Sequence, residues 1–142
     1  FVAEWKHKGR QLHFIKPTTY MNLSGKAVRY YMDRYKVPLE NVLIVVDELQ
    51  LPYGCLRLKP KGSHGGHNGL RHIEELLGTS AYARLRFGIG QNFARGRQAD
   101  YVLQAFTPSE MNELPIHLDK AGEAVLGFCI FGIEQTMNIF NQ

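Results

Sequence analysis

The run NVLIVV at residues 41–46 constrains this chain more than any other stretch. It is almost wholly apolar and β-branched with no polar alternation, which fits a strand buried on both faces inside a helix-covered parallel sheet. It ends at Asp47-Glu48, and open α/β sheets place their ligand sites just beyond the carboxyl ends of strands. LHFI at 12–15 reads as a short strand running into a loop at Lys16-Pro17. A helix is predicted from about Ser24, with Ala27, Val28, Tyr31, Met32 and Tyr35 on one face and a stop at Val37-Pro38. CLRLK at 55–59 alternates, with Arg57 and Lys59 on its wet face, and RLRFGIG at 84–90 alternates in the same way. Between them, GSHGGHNG at 62–69 leads into a helix whose Leu70, Ile73, Leu76 and Leu77 share a face and which stops at Gly78. Thr107-Pro108-Ser109-Glu110 is a capping box, and a longer helix is predicted over about Asp119 to Met137, burying Ala121, Val125 and Phe128. This order predicts an α/β protein: a single domain over residues 1–142 with a mixed β-sheet flanked by helices. FVAEWKH at the start supplies no buried strand to accompany NVLIVV, so the sheet reads as lacking its first central strand.

Composition narrows the function. Hydrophobic residues make up 44% of the 142, enough for one core and too many for a disordered chain. No apolar run approaches the ~18–20 residues of a membrane-spanning helix. Two cysteines make no disulfide framework, and a reducing cytoplasm is the expected compartment. The net charge of +4 hides an asymmetry: residues 1–99 carry +9 and residues 100–142 carry −5. The basic part should attract a polyanion, whereas any one such charge also serves as ordinary surface solvation.

Three clusters can carry chemistry. Tyr20, Met21 and Asn22 sit just before a helix, where the Asn22 amide can hold a carbonyl or a water; equally, Asn22 can be a turn or N-cap residue with Tyr20 and Met21 in the core. Asp47 can orient a histidine general base or cap a backbone turn. His64, His67 and Asn68 lie in a loop whose glycines let a ligand approach the backbone, and Asn68 can alternatively be a helix N-cap. Two histidines without a spaced cysteine or carboxylate make a poor zinc site, and no GxxxxGK[ST] phosphate loop is present. Arg57, Lys59, Lys61, Arg71, Arg84 and Arg86 can line a phosphate backbone or simply face solvent.

KPTTYMNLSGKAV (16–28), VVDELQLPYGCLRLK (45–59), GSHGGHNGL (62–70) and RLRFGIG (84–90), in this order, resemble bacterial-type peptidyl-tRNA hydrolase. The resemblance implies a monomeric cytoplasmic α/β enzyme of translation that hydrolyses the ester between a peptide and the 3′ ribose of tRNA. It implies no cofactor, metal, membrane or DNA. A histidine acts as general base in that family and an aspartate holds its imidazole; Asp47 matches the aspartate. Asn22 matches the asparagine that positions water and substrate, and Tyr20 and Met21 adjoin it. Asn68 matches a substrate-contacting asparagine preceded by His67. Arg57, Lys59 and Arg86 look like part of the tRNA-facing surface. The family's opening segment, with its catalytic histidine, has no counterpart here, so the expectation is an N-terminally incomplete chain whose six histidines include no base and which alone is inactive. LKPKGSHGG and Gln91-Asn92 also depart from the family's pattern. The competing expectation is a non-catalytic RNA-binding protein on the same fold; the joint presence of Asp47, Asn22 and Asn68 favours the enzyme, because a pure backbone binder needs lysine and arginine rather than a buried carboxylate.

Overall fold

A computed structural model describes residues 1–141. Its elements, in chain order, are β1 (Val2–His7), β2 (Arg10–Ile15), α1 (Ser24–Tyr35), β3 (Leu43–Glu48), β4 (Leu56–Lys59), α2 (Asn68–Leu77), β5 (Ala83–Gly88), α3 (Gln98–Leu103) and α4 (Pro108–Phe140). The strands form a three-stranded sheet of order β3-β5-β4 and a separate two-stranded one, β1-β2. In the larger sheet β3 runs parallel to β5 and β4 antiparallel to it, giving the mixed α/β arrangement that the element order predicts.

Each face of this sheet carries its own apolar core. On one side Val46 packs with Leu70, Ile73 and Tyr82, joined by Val28 of α1 and Leu77 of α2. On the other, Leu56, Leu58 and Leu85 pack with Ala124, Val125 and Met137 of α4. Helices α1 and α2 therefore cover one face and α4 the other.

Among the described residues β5 is the middle strand of the three, and the NVLIVV segment supplies a strand with one neighbour. Leu85 is fully buried between two hydrogen-bonded neighbours, whereas Val45 of β3 is 57% exposed. Arg84 on the middle strand is also buried, at 2% exposure, where the sequence suggested either solvent or a phosphate path. Its guanidinium lies 4.0 Å from the Tyr82 ring centroid and donates to the carbonyls of Ser80 and Tyr82.

The start of the chain does form strands, as a hairpin turned at Lys8-Gly9, both with positive φ (48° and 77°), the backbone a two-residue I′ turn requires. Leu12 is buried, and the His13 ring stacks on Tyr35 of α1 at 3.8 Å. The last helix begins at its capping box, eleven residues before the expected start, and Gly132 interrupts it (φ 82°, ψ 177°). Phe128 is buried in α4, and Ala121 and Val125 are half-buried against the second core. At its end the Asn141 side chain bonds the Leu58 main chain in both directions, Oδ1 accepting from N–H and Nδ2 donating to C=O, each at 2.7 Å. No helix among the described residues is long and apolar enough to cross a membrane.

Candidate active site

Where β3 ends, a cleft of about 750 Å³ opens between the carboxyl ends of the strands, the glycine-rich loop and α3. Met21, Asp47, Lys59, His67, Asn68 and Arg86 all line it. Residues up to 65 positions apart in sequence thus converge.

Asp47 is the last apolar-to-polar switch of β3, and its Oδ1 lies 2.8 Å from His67 Nε2. The hydrogen bond from His67 holds the Asp47 carboxyl below the ordinary carboxylate range, against the opposing effect of partial burial. His67 is itself pinned from the other side. It is the N-cap of α2, and its Nδ1 accepts from the backbone N–H of Gly69 (3.1 Å) and Leu70 (3.3 Å). Asn68, the residue the sequence offered as that cap, is instead the first helical residue and exposed. Imidazole serves here as the cap because it reaches both the helix amides and the carboxylate.

That double tether fixes the tautomer. With Nδ1 accepting, the ring proton sits on Nε2 and is donated to Asp47. The one lone pair of neutral His67 is spent on the helix terminus, so as held here His67 orients Asp47 and does not take a proton from water. Among the described residues the only other histidine lining the cleft is His64, whose Nδ1 accepts from Gly66 N–H at 3.0 Å. His72 likewise has its Nδ1 occupied, by Gly25 N–H at 2.9 Å.

The Met21–Leu23 turn immediately precedes α1. Tyr20 is 82% and Met21 57% exposed, which rules out the core placement considered for them, and the exposed Asn22 neither caps a helix nor lines the cleft as it stands. Met21 reaches across to α2: a Cβ on Gly69 would come within 2.7 Å of its Sδ, so a larger residue at 69 would make the Met21 side chain shift. Ser24 Oγ donates to the Met21 carbonyl at 2.7 Å and steadies the turn.

The cleft's basic wall is formed by Lys59, Arg84 and Arg86, and Arg57 shares their sheet face without lining the cleft. Arg57 stands opposite Arg86, and Lys59 opposite Arg84, in the β4–β5 register. These cations are not equivalent. Arg86 Nε donates to Glu48 Oε1 at 2.7 Å, with a second contact from Nη2, and both side chains are mostly buried. Lys59 is exposed and Arg57 half-buried, and neither forms an ion pair among the described residues. Glu48 was visible in sequence as half of an Asp-Glu pair, but nothing in it indicated which base it answers. The roof, α3, was also missed: its six residues QADYVL are too few for a helical period to show. Tyr101 anchors it by donating its hydroxyl to the Ile89 carbonyl. No group of three or more His, Cys, Asp or Glu side chains is placed to hold a metal ion among the described residues.

A sequence model of the peptidyl-tRNA hydrolase family matches residues 1–142. A peptidyl-tRNA hydrolase of Bacteroides fragilis is 58% identical over 142 residues, covering 100% of this chain and 76% of the relative. One of Cytophaga hutchinsonii is 54% identical over 140 residues, covering 99% of this chain and 74% of the relative. Among solved structures, the peptidyl-tRNA hydrolase of Acinetobacter baumannii superposes with a TM-score of 0.88 at 34% identity, over 99% of this chain and 71% of that one.

Proposed function

Because the chain belongs to the peptidyl-tRNA hydrolase family, we propose that it takes part in hydrolysing the ester between a peptide and the 3′ ribose of tRNA, freeing the tRNA for reuse. One observation carries the reading: Met21, the Asp47–His67 pair and Asn68 meet in a single cleft that Lys59 and Arg86 also line, with Arg57 beside Arg86 on the same sheet face. Ester hydrolysis needs an activated water, donors for the oxygen on which charge develops, and a hold on the polyanion that carries the ester. In this reading Asn22 and Asn68 supply amide donors near the ester carbonyl, Tyr20 and Met21 contact the terminal nucleotide, and the basic wall takes phosphates. Water attacks the ester carbon, a base removes its proton, and the ribose 3′ oxygen leaves with a proton.

Asp47 acts by orienting an imidazole. His67 occupies Oδ1, and its own lone pair is committed to α2, so the base is assigned to none of the six histidines of this chain. The other Asp47 oxygen, which has no hydrogen-bond partner among the described residues, is the atom available to hold the imidazole of the general base. The protein is read as a cytoplasmic monomer that needs no cofactor.

The test is hydrolysis of N-acetyl-aminoacyl-tRNA by the natural protein that contains these residues, beside its Asp47→Ala and His67→Asn variants. Asp47→Ala should lower kcat by about 10²-fold or more with tRNA affinity nearly unchanged. His67→Asn keeps an acceptor at the cap and should cost much less. Equal loss in both variants would make His67 the base and refute the assignment. Tight tRNA binding without hydrolysis by the unmodified protein would replace the enzyme reading with the RNA-binding one.

A further inference from the structure

Helix α1 begins without a cap of its own. Its N-cap position is Leu23, whose side chain can accept nothing, and its first turn holds no acidic residue. Uncapped helix starts leave up to four amide donors unanswered and are unfavourable away from water. Here one of those amides, that of Gly25, donates at 2.9 Å to the Nδ1 of His72, a residue 47 positions later on α2. The contact is built: a Cβ at Gly25 would lie 2.7 Å from the His72 carbonyl carbon and 3.0 Å from Nδ1, so glycine is required for the two helices to meet at this depth.

The bond sits at a sensitive place. The Met21–Leu23 turn is continuous with the first residue of α1, and His67 caps the same helix that carries His72. Two contacts therefore tie the start of α1 to the first half of α2: Gly25 to His72, and Met21 across Gly69. Both fix where the Met21–Leu23 turn sits against α2, the helix that His67 caps.

We infer that His72 is a positioning residue: its Nδ1 lone pair supplies, from α2, the N-terminal cap that α1 lacks, and so holds the Met21–Asn22 turn in register with the Asp47–His67 pair. The inference rests on the function proposed above for its kinetic consequence, but the bond itself can be read without activity. The cap requires an acceptor at the Nδ1 position. Asparagine places its side-chain oxygen there; glutamine places its amide one bond further out.

The experiment compares His72→Asn, His72→Gln and His72→Ala in the natural protein, by hydrogen exchange of the Gly25 amide and by kcat and KM for N-acetyl-aminoacyl-tRNA. The Gly25 amide should exchange at least about tenfold faster in His72→Gln and His72→Ala, and at near the original rate in His72→Asn. In the same order kcat should fall about tenfold in the first two and within about threefold in the last, with KM nearly unchanged, because phosphate contacts are untouched while the reacting groups are misplaced. If asparagine and glutamine protect the Gly25 amide equally, the cap assignment is overturned. If exchange follows the expected order but kcat does not, the bond is structural only and the positioning role fails. An inactive unmodified protein would refute the proposed function, with the exchange result still deciding whether His72 caps α1.

Discussion

Gly25→Ala sets two effects of similar size against each other. Alanine in a helix interior is favoured over glycine by about 0.8–1 kcal/mol, and by less in the first turn, where Gly25 sits. Propensity alone therefore predicts a small stabilisation. The structure predicts the opposite. The new methyl would lie 2.7 Å from the His72 carbonyl carbon, against roughly 3.5 Å or more for an ordinary carbon–carbon contact, so the helices must part by about 0.8 Å. The obstacle is main chain and cannot rotate away. Overpacking of this kind costs about 1–3 kcal/mol. Stretching the 2.9 Å Gly25–His72 bond by the same amount forfeits most of a further 0.5–1.5 kcal/mol. The net expectation is a loss of roughly 1–3 kcal/mol, a fall in Tm of about 4–10 °C for a chain of this size. Thermal and urea unfolding of Gly25→Ala beside a control at the exposed neighbour, Lys26→Ala, measures it. A Tm that is unchanged or raised would show that α1 and α2 are not held at this distance, and would refute both the steric argument and the role of His72.

Other expectations follow from single contacts. Removing the Asn141 side chain leaves the Leu58 amide and carbonyl without partners beside a fully buried strand residue, so Asn141→Ala should cost about 2 kcal/mol in urea unfolding; an unchanged midpoint would mean the last turn of α4 is not docked on β4. Asp47 has its carboxyl lowered by His67, so its ionised form stabilises the fold above the ordinary carboxylate range and that contribution fades as pH falls through the lowered value. The stability gap between the unmodified protein and Asp47→Asn should accordingly narrow from pH 6 to pH 3, and a gap that widens in acid would contradict the pairing. Replacing Lys59 or Arg57 by glutamine should each reduce the slope of log tRNA affinity against log salt by up to about 1, whereas Arg86→Gln should change it less because Glu48 already answers that charge. Equal slopes for all three would show that the Glu48–Arg86 pair opens when tRNA binds.

The sequence by itself determined what depends on short-range pattern. The stripe Ala27–Tyr35 fixes α1, Gly78 ends α2 in a left-handed residue, and Thr107 with Glu110 opens α4 as a capping box, because each rests on residues within a turn or two of one another. Of the residues that the motifs around Asn22, Asp47 and Asn68 singled out, Met21, Asp47, His67 and Asn68 line one cleft and Asn22 does not, since strand ends and glycine-rich loops meet at one edge of an α/β sheet. Tertiary structure alone decided the rest. It buried Arg84 against Tyr82. It moved the α2 cap from Asn68 to His67 and, through the Gly69 and Leu70 amides on Nδ1, left that imidazole's proton on Nε2 facing Asp47. It also gave α1 its cap from a histidine 47 residues away and β4 its edge bonds from an asparagine 83 residues away. Those outcomes turn on which partner a donor or a strand edge finds after the chain has closed on itself. A local sequence pattern states only that a partner is needed.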